Sequence, residues 1–422
     1  MTTSDTAPAE AFAWIWLPGA SEPVVAGRLS AAGARVEFNY GRSYLRRPDA
    51  IPLYLPELPL RSGLISPLGG MRIAGCLADA SPDAWGQRVI MQHMLGTAAR
   101  DADPAGLHPL TYLLESGSDR VGALDFQTSA DVYVARDHST APLAELAEAA
   151  DRVDAGLPLS PALDRALLHG SSVGGARPKA LVEDEAGKFI AKFSSSTDPY
   201  DVVRGEFVAM ELARRAGLRV APVALTQALG KDVLLVERFD RPSGAAHRRA
   251  LVSALTILGL DEMLARYASY ADLALSVRER FVDAPSTLRE LFSRITFNIL
   301  VGNTDDHARN HAAFWDGEML ELTPAYDICP QGRAGGEASQ AMAIGPDGFR
   351  MSQLAGCVAA AETYLLSESD ARAIIDHQVA VIESEWSDVC DLADLPEVTR
   401  RYFWRRQFLN PYAFHGYTSA TA

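Results

Sequence analysis

The first third of the chain alternates short apolar runs with glycine and proline. Runs at residues 14–17, 24–29 and 34–40 have the length of β-strands and are separated by these turn-forming residues. Two helices interrupt this pattern. The first begins at Ser81-Pro82-Asp83, where a cap residue, a proline at the first helical position and an acid follow one another. The second is predicted from a similar Ser-Pro start at Ser160-Pro161 to about residue 169. We therefore predict mixed helix and strand for this region.

Beyond residue 170 the pattern changes to more regular strands. Apolar runs at residues 180–182 and 189–191 flank the turn-forming residues 184–187, which predicts a β-hairpin. A helix is predicted from about residue 203 to residue 216. The run at residues 233–236 then has the length and composition of a buried strand.

The chain beyond about residue 250 is predicted to be mostly helical. We place one amphipathic helix after Ser286 as its cap, because five large apolar residues recur at the spacing of a single helix face: Leu288, Leu291, Phe292, Ile295 and Ile299. Segments 312–315 and 319–322 are predicted to form a second hairpin around the two-residue turn Asp316-Gly317.

Length and pattern together predict an α+β protein of more than one domain. A chain of 422 residues exceeds the size of one compact core. We divide it into a small N-terminal subdomain at residues 1–150, a β-rich lobe at residues 151–242 and a helical lobe at residues 243–422. A hinge-like transition is expected at residues 237–243.

Composition excludes several classes of protein. The apolar and charged fractions, 48% and 22%, are those of a globular protein and exclude disordered and fibrous classes. The formal charge of -15 argues against a large nucleic-acid footprint on this chain alone. The basic, aromatic segment 400–406 is the local exception, and we interpret it as a helix with a solvated charged face.

Cysteine usage and hydropathy indicate the compartment. The four cysteines are widely scattered, which is typical of a reduced chain: Cys76, Cys329, Cys357 and Cys390. We see no pattern of a signal peptide and no apolar run of about 18 residues, the length that a membrane span requires. The expectation is a cytoplasmic protein that does not bind membranes.

The strongest chemical signal directly follows the amphipathic helix. Asp305 and Asn310 have the D-x-x-x-x-N spacing of a protein-kinase catalytic loop. The hairpin that follows should return Asp327 to the same place, which would create an oxygen-rich site suited to magnesium. In such a site Asp305 accepts the proton of the substrate hydroxyl, while Asn310 and Asp327 hold the metal. The alternative interpretation is a polar turn that caps a helix.

Phosphate-binding candidates lie upstream. Residues 171–179 form a glycine-containing loop whose backbone N–H groups could cover phosphates, although a plain turn is an equally good interpretation. Lys192 ends a predicted strand and is suited to α- and β-phosphates. Glu206 shares a helix stripe with apolar residues, so this inward acid requires a cation, and Lys192 is the candidate. Residues 237–240 stand where a kinase hinge would contact adenine.

A zinc site is a weaker alternative for the same region. His307 and His311 are four residues apart, as a zinc pair on a helix would be. Because the segment is predicted to be a loop and no third ligand of matching pattern is apparent, we do not favour zinc.

Five segments in chain order resemble the motifs of HipA-type toxin kinases. They are SPDAWG at residues 81–86, SVGGARPK at 172–179, ERFDR at 237–241, NTDDHARN at 303–310 and LTPAYD at 322–327. The resemblance covers nearly the whole chain. Two departures are Arg309, where some members carry lysine, and the Arg177-Pro178 pair in the glycine-containing loop.

The resemblance implies a two-lobed atypical protein-kinase-like fold with a small N-terminal subdomain and an all-helical C-terminal lobe. It implies an ATP- and Mg²⁺-dependent Ser/Thr kinase with Asp305 and Arg309 as catalytic residues, Asn310 and Asp327 as magnesium ligands, and Ser172 as an autophosphorylation site. The implied ATP-binding residues are Ser172, Val173, Gly174, Gly175, Ala176, Lys179, Lys192, Glu206, Glu237, Arg238, Phe239, Asp240 and His307.

The resemblance also implies a biological setting. Members of this family are toxins of bacterial toxin–antitoxin modules and are associated with persistence. They phosphorylate translation components such as aminoacyl-tRNA synthetases, and a small HipB-like DNA-binding antitoxin neutralises them. We accordingly expect contact with DNA only through the antitoxin. Two other hypotheses are a catalytically silent co-repressor that acts with an antitoxin, and a small-molecule or lipid kinase on the same fold.

Overall fold

The computed structural model of the chain describes residues 8–419 except 97, 98, 100, 101, 137–140, 170, 171, 173, 174, 176, 186, 196, 197, 243–246 and 334. The chain divides into two compact units. The first consists of Met1–Ser195, Thr226–Val252 and Phe314–Glu318, and the second of Ser196–Leu225, Ser253–Ala313 and Met319–Ala422. The division into three domains at residues 150 and 242 stays a prediction.

A four-stranded antiparallel sheet opens the first unit. Its strands are β1 (Glu10–Ile15), β2 (Val24–Ala32), β3 (Arg35–Tyr40) and β4 (Leu124–Gln127), in the order β3-β2-β1-β4. The strands predicted at residues 24–29 and 34–40 are confirmed. The first strand lies at residues 10–15 rather than 14–17, because the alternation of buried and exposed positions begins before the apolar run.

Four helices lie between β3 and β4: α1 (Arg42–Leu45), α2 (Gly75–Ala78), α3 (Ala84–Leu95) and α4 (Pro109–Glu115). The predicted start of α3 at Ser81 is wrong. Asp83 occupies the N-cap position and Ala84 is the first helical residue. Ser, Pro and Asp are all acceptable near a helix start, so local preference does not choose among them.

A second sheet follows with the order β5-β6-β8-β7. Its strands are β5 (Lys179–Asp184), β6 (Gly187–Phe193), β7 (Val223–Ala228) and β8 (Lys231–Glu237), so both the predicted hairpin and the predicted buried strand are confirmed. The helices α5 (Leu143–Asp154) and α6 (Pro161–His169) precede it. Side chains of α3, α5, α6 and this sheet share one hydrophobic core, which includes Trp85, Val89, Leu146, Leu167, Ala191 and Val233.

The second unit is mostly helical. Its helices are α7 (Val202–Arg215), α8 (Ala254–Ile257), α9 (Tyr270–Arg280), α10 (Ala284–Val301), α11 (Leu354–Ala359), α12 (Glu368–Leu392) and α13 (Glu397–Phe403). The five apolar residues predicted to share one face of α10 are all buried. The cap assignment was wrong, since the Asp283 carboxylate accepts a hydrogen bond from the Ser286 N–H and so takes the N-cap position itself.

A three-stranded sheet has the order β11-β10-β9, with β9 (Leu251–Ser253), β10 (Ala312–Trp315) and β11 (Leu320–Leu322). The predicted hairpin is therefore present, but residues 316–319 connect its strands instead of a two-residue turn. The Asp316 carboxylate accepts a hydrogen bond from the Glu318 N–H at 2.8 Å, which stabilises the longer connection. In the described part of the chain, no helix has the length and apolar character needed to cross a membrane.

Candidate active site

The loop that carries Asp305 begins where α10 ends. Gly302 ends this helix with φ 72°, the left-handed conformation that glycine adopts without strain. A Cβ atom at this position would lie 2.7 Å from the Gln407 carbonyl oxygen, so no larger residue fits. The loop then passes through a short 3-10 turn, Ala308–Asn310, into β10.

Asp306 anchors the loop from inside the protein. Its side chain is buried, and its Oδ2 accepts hydrogen bonds from Asn298 Nδ2 at 2.7 Å, from His311 Nε2 at 2.9 Å and from the Tyr270 hydroxyl. Burial by itself raises the pKa of Asp306, but the charge and hydrogen bond of His311 outweigh this effect and hold the pKa below its ordinary value. The loop is thus fixed to α9, α10 and the start of β10.

Asp305 is the exposed neighbour of this anchor. Partial desolvation and the negative charges of Asp327 and Asp306 raise the pKa of Asp305, although His307 opposes them. Asp327 acts on Asp305 through its negative charge, so the two carboxylates are close enough to interact electrostatically. Asn310 lies on the same loop and donates from Nδ2 to the Asp305 carbonyl oxygen at 3.4 Å. Since the Asn310 amide nitrogen makes this contact, its amide oxygen is the atom suited to a cation.

The segment that carries Asp327 is held from several directions. Ala325 donates its N–H to the Arg219 carbonyl oxygen at 2.7 Å and accepts from the Ala221 N–H at 2.8 Å. The Tyr326 hydroxyl donates to the Arg309 carbonyl oxygen at 2.7 Å, which joins this segment to the Asp305 loop.

Asp327 itself has φ 61°, an uncommon conformation for a residue other than glycine. Asn303 Nδ2 contacts its carbonyl oxygen at 3.4 Å. A residue held in a sparsely populated backbone conformation by surrounding contacts is typical of functional sites.

The donor set fits a hard divalent cation. Two neighbouring carboxylates, Asp305 and Asp327, repel one another, and an amide oxygen of Asn310 is close by; magnesium prefers such oxygen ligands. The third candidate ligand of this site is an asparagine amide. Within the described residues, His, Cys, Asp and Glu side chains by themselves form no group of three or more that could hold a metal ion. The zinc alternative is also disfavoured, since His311 Nε2 is hydrogen-bonded to Asp306.

The other residues of the NTDDHARN segment have separate surroundings. Arg309 forms an ion pair with Glu262, with Nη2 and Oε2 2.5 Å apart. Glu262 is largely exposed, so this pair is accessible to solvent and to other charged groups. His307 is half-buried.

The first unit places two lysines on one face of a sheet. Lys179 of β5 and Lys192 of β6 are direct cross-strand partners, and cross-strand partners project from the same face. Lys179 is buried, and its Nζ lies against Gly175, where a Cβ atom would be 2.0 Å from it. Gly175 also has φ 111°, a backbone conformation that favours glycine.

Trp85 fixes the same glycine-containing loop, a role that sequence reasoning missed. Its Nε1 donates to the Lys179 carbonyl oxygen at 2.9 Å, and its N–H donates to the Gly175 carbonyl oxygen at 3.4 Å. The available signal was the SPDAWG segment, in which a buried tryptophan follows the cap of α3. Asp306 was likewise part of a recognised motif without an assigned role.

Ser172 is buried at the other end of the loop. Its hydroxyl donates to the Asp119 carbonyl oxygen at 3.3 Å, and 1% of the residue is exposed. A kinase could modify Ser172 only if it became accessible. Val173, Gly174 and Ala176, which were predicted to bind ATP, lie outside the described residues.

The ERFDR segment is built into a buried ionic cluster. Asp119 contacts Arg238 at 3.0 Å and Arg241 at 2.9 Å, and Asp240 contacts the same two arginines at 2.8 and 2.9 Å. The side chains of Arg238 and Asp240 are thus used structurally, so backbone atoms would have to make any adenine contact there.

The remaining members of the predicted ATP site are Glu237, Phe239 and Glu206. Glu237 ends β8, and the ring of Phe239 packs edge-on against Phe314 at a centroid distance of 5.8 Å. Glu206 is buried on α7. Its pairing with Lys192 stays a prediction.

Two protein-family models match this sequence, one in its N-terminal part and one in its C-terminal part. The family model described as the HipA N-terminal domain matches residues 20–127, and the HipA-like C-terminal domain matches residues 171–386. The chain belongs to the HipA family.

Individual relatives are more distant. A candidate kinase of Sinorhizobium fredii, Y4mE, is 31% identical over 147 residues, which are 33% of each chain. The Ser/Thr-protein kinase toxin HipA of Shewanella oneidensis is 26% identical over 147 residues, 31% of this chain and 34% of the relative. The alignments therefore span about a third of the length of these relatives.

A solved structure supports the fold across the chain. HipA of Shewanella oneidensis, determined in complex with HipB and operator DNA, superposes with a TM-score of 0.71 at 20% identity. The superposition covers 95% of this chain and 97% of that chain. This chain therefore has the two-domain α+β fold of the HipA proteins.

Proposed function

We propose that this chain is an ATP- and Mg²⁺-dependent Ser/Thr protein kinase. The observation that carries the proposal is the grouping of Asp305, Asn310 and Asp327 around a loop that Asp306 fixes in place. Phosphoryl transfer requires mainly positioning and charge stabilisation, and such a preorganised oxygen-rich loop is suited to provide both.

Each residue then has a defined role. Asp305 accepts the proton of the attacking Ser or Thr hydroxyl as its oxygen bonds to the γ-phosphorus and ADP leaves. Asn310 and Asp327 would hold Mg²⁺, which supplies neutralisation of phosphate charge. Partial burial and the neighbouring carboxylates raise the pKa of Asp305, which favours its proposed role as a proton acceptor.

The two lysines are the proposed phosphate ligands of the first unit. Lys179 and Lys192 present two positive charges on one sheet face, and Gly175 leaves room for a close approach of the backbone. The same proposal includes ATP contacts by residues 172–176 and 237–240 and autophosphorylation at Ser172. It also includes contributions to the site from Glu206, His307 and Arg309.

The partners are proposed from the family and the charge. A HipB-like antitoxin is supported by the solved Shewanella complex of HipA, HipB and operator DNA. With a net charge of -15, this chain should reach DNA only through such a partner. We propose a cytoplasmic translation component, such as an aminoacyl-tRNA synthetase, as the substrate and a toxin role linked to persistence.

The test is phosphoproteomics of a bacterial extract treated with the purified chain, ATP and Mg²⁺. We expect new phosphoserine or phosphothreonine on few proteins, and loss of the signal with chelator. Asp305→Asn should lower the rate about 100-fold or more, since removal of a catalytic base typically costs that much. Asp272→Asn, at an exposed aspartate of α9, is the matched control and should retain the activity. Equal labelling by the Asp305 variant would refute the proposal.

A further inference from the structure

Arg333 has a buried guanidinium for which the described residues provide no hydrogen-bond partner. It follows Asp327 closely in the chain and only 7% of the residue is exposed. Among the described residues, none accepts a hydrogen bond from its Nε, Nη1 or Nη2. Burial lowers the pKa of Arg333, and the one opposing influence is Tyr412 rather than a carboxylate. Burying a guanidinium in this way is unfavourable unless an acceptor arrives.

A second arginine stands directly beside it. Arg406 Nη2 donates to the Arg333 carbonyl oxygen at 2.9 Å, and the Arg406 guanidinium lies 4.3 Å from the ring centroid of Tyr402. Arg406 is exposed, and the described residues provide no carboxylate partner for it. In a chain with a net charge of -15, two adjacent arginines without an acid are an uncommon concentration of positive charge.

Gln407, the residue after Arg406, adds neutral polar groups to this segment. It is fully buried, and both Oε1 and Nε2 of its amide lack a hydrogen-bond partner among the described residues. Its backbone packs against Gly302, and the Gln331 N–H donates to the Gly302 carbonyl oxygen at 2.9 Å. The segments that carry Arg333 and Gln407 therefore meet at the residue that ends α10.

We propose that Arg333, Arg406 and Gln407 form a binding site for a phosphate-class oxyanion at the base of the Asp305 loop. The planar guanidinium donates two parallel hydrogen bonds to such an anion, the Gln407 Nε2 can donate another, and Arg406 provides charge on the solvent side. A phosphate carries about -1.5 to -2 charges at neutral pH and so matches the two arginines. Its source is either free phosphate or a phosphorylated side chain.

Occupation of the site would have a structural consequence. The anion would connect the segment after Asp327 with the segment that closes on Gly302, and so would stabilise the surroundings of the Asp305 loop. Tyr200 already restrains this segment, because its hydroxyl donates to the Pro330 carbonyl oxygen at 2.5 Å. Binding itself does not depend on kinase activity, so the proposal can be tested separately from the proposed function.

The experiment measures thermal unfolding of the full chain during titration with sodium phosphate, with O-phosphoserine and with sodium chloride at matched ionic strength. We expect a saturable rise of Tm with phosphate, O-phosphoserine or both, and none with chloride. A response to phosphate alone identifies the free anion as ligand, and a tighter response to O-phosphoserine identifies a phosphorylated side chain. The absence of a saturable response to both overturns the proposal.

Variants locate the binding. Arg406→Gln, at an exposed position, should weaken binding on the order of tenfold, the effect of losing one charge-assisted hydrogen bond. Arg401→Gln is the matched control, because Arg401 is an exposed arginine of α13 paired with Glu397. Arg333→Met should abolish the response, whereas Lys192→Met should not. A response that persists in both Arg333→Met and Arg406→Gln but disappears in Lys192→Met would place the anion among the proposed ATP ligands and overturn the proposal.

Discussion

At the scale of single residues, the most informative side chains are those whose conformation and charge are both unusual. Asp327 combines a left-handed backbone with a carboxylate that raises the pKa of Asp305. Asp306 is the opposite case, since three hydrogen bonds, one of them from His311, stabilise its charge inside the protein. Adjacent aspartates in the NTDDHARN segment thus have different surroundings: Asp305 is exposed, at the proposed catalytic position, and Asp306 is a buried anchor.

Replacing Asp327 by asparagine tests its proposed metal role without disturbing the backbone. Asparagine adopts positive φ more readily than most residues, so the free energy of unfolding should stay within about 0.5 kcal/mol of the wild type. Loss of the carboxylate should lower kinase turnover by a factor on the order of 100 or more. Urea denaturation and a kinase assay across Mg²⁺ concentrations measure the two effects. A variant whose turnover and Mg²⁺ dependence match the wild type would remove Asp327 from the metal site.

At the scale of elements, the leading subdomain and the glycine-containing loop are directly connected. Trp85 belongs to α3, yet its two hydrogen bonds are to the carbonyl oxygens of Gly175 and Lys179. The start of this helix therefore holds Gly175 and Lys179, the first residue of β5, in position. An effect on nucleotide affinity follows if the loop covers phosphates as proposed.

Trp85→Phe removes the Nε1–H donor while keeping an aromatic side chain. The Lys179 carbonyl would lose a buried hydrogen bond, which costs about 1–3 kcal/mol. We expect KM for ATP to rise severalfold with a smaller change in kcat, because the loop is proposed to bind nucleotide and not to take part in proton transfer. Trp14→Phe is the control: the Trp14 Nε1 also donates to a carbonyl oxygen, that of Ser129 at 3.0 Å, in the leading sheet. If both variants change KM equally, Trp85 has only a general structural role.

At the scale of the whole molecule, contacts between distant parts of the chain stabilise the first unit. The cluster of Asp119, Arg238, Asp240 and Arg241 joins residues more than a hundred positions apart. Desolvation raises the pKa of Asp119, but Arg238, Arg241 and Lys188 outweigh it and hold that pKa far below its ordinary value. For Asp240, too, the arginines outweigh burial and lower the pKa.

This cluster predicts a dependence of stability on acid. A carboxyl group whose pKa is lower in the folded state contributes stability above its unfolded pKa, ordinarily 3.8, and loses that contribution as the pH falls. Asp119→Asn should destabilise the chain at pH 7 by about 3–5 kcal/mol, since it removes one of the two carboxylates that pair with Arg238 and Arg241 and leaves a buried positive charge uncompensated. Its stability should also fall less steeply than that of the wild type between about pH 5 and pH 3.

Urea midpoints measured across this pH range provide the comparison. Asp131→Asn is the matched control, because Asp131 is an exposed aspartate of the same unit, and its curve should follow the wild type. Parallel curves for Asp119→Asn and the wild type would show that Asp119 does not contribute to acid sensitivity.

The sequence by itself determined the elements that carry the site. The apolar spacing of α10, the two hairpins and α7 were predictable because helix and strand periodicity depends on neighbours a few residues apart. The D-x-x-x-x-N spacing and the return of the hairpin likewise predicted that Asp305, Asn310 and Asp327 lie close together, while their catalytic and metal-binding roles stay predictions. The first residue of a helix was harder to predict, because each of two helices offers two cap-type residues. The chain uses Asp83 rather than Ser81 for α3 and Asp283 rather than Ser286 for α10.

The tertiary structure alone decided which side chains meet over long distances. Asp119 pairs with Arg238, Trp85 contacts the Gly175 loop, and Arg333 lies beside Arg406; no local periodicity records these contacts. Charge pairing also decided the difference between Asp305 and Asp306, which are chemically identical and adjacent in the sequence: burial raises the pKa of both, and His311 lowers that of Asp306 below its ordinary value. The physical reason is that desolvation and charge pairing depend on everything packed around a group, whereas periodicity depends only on its own segment.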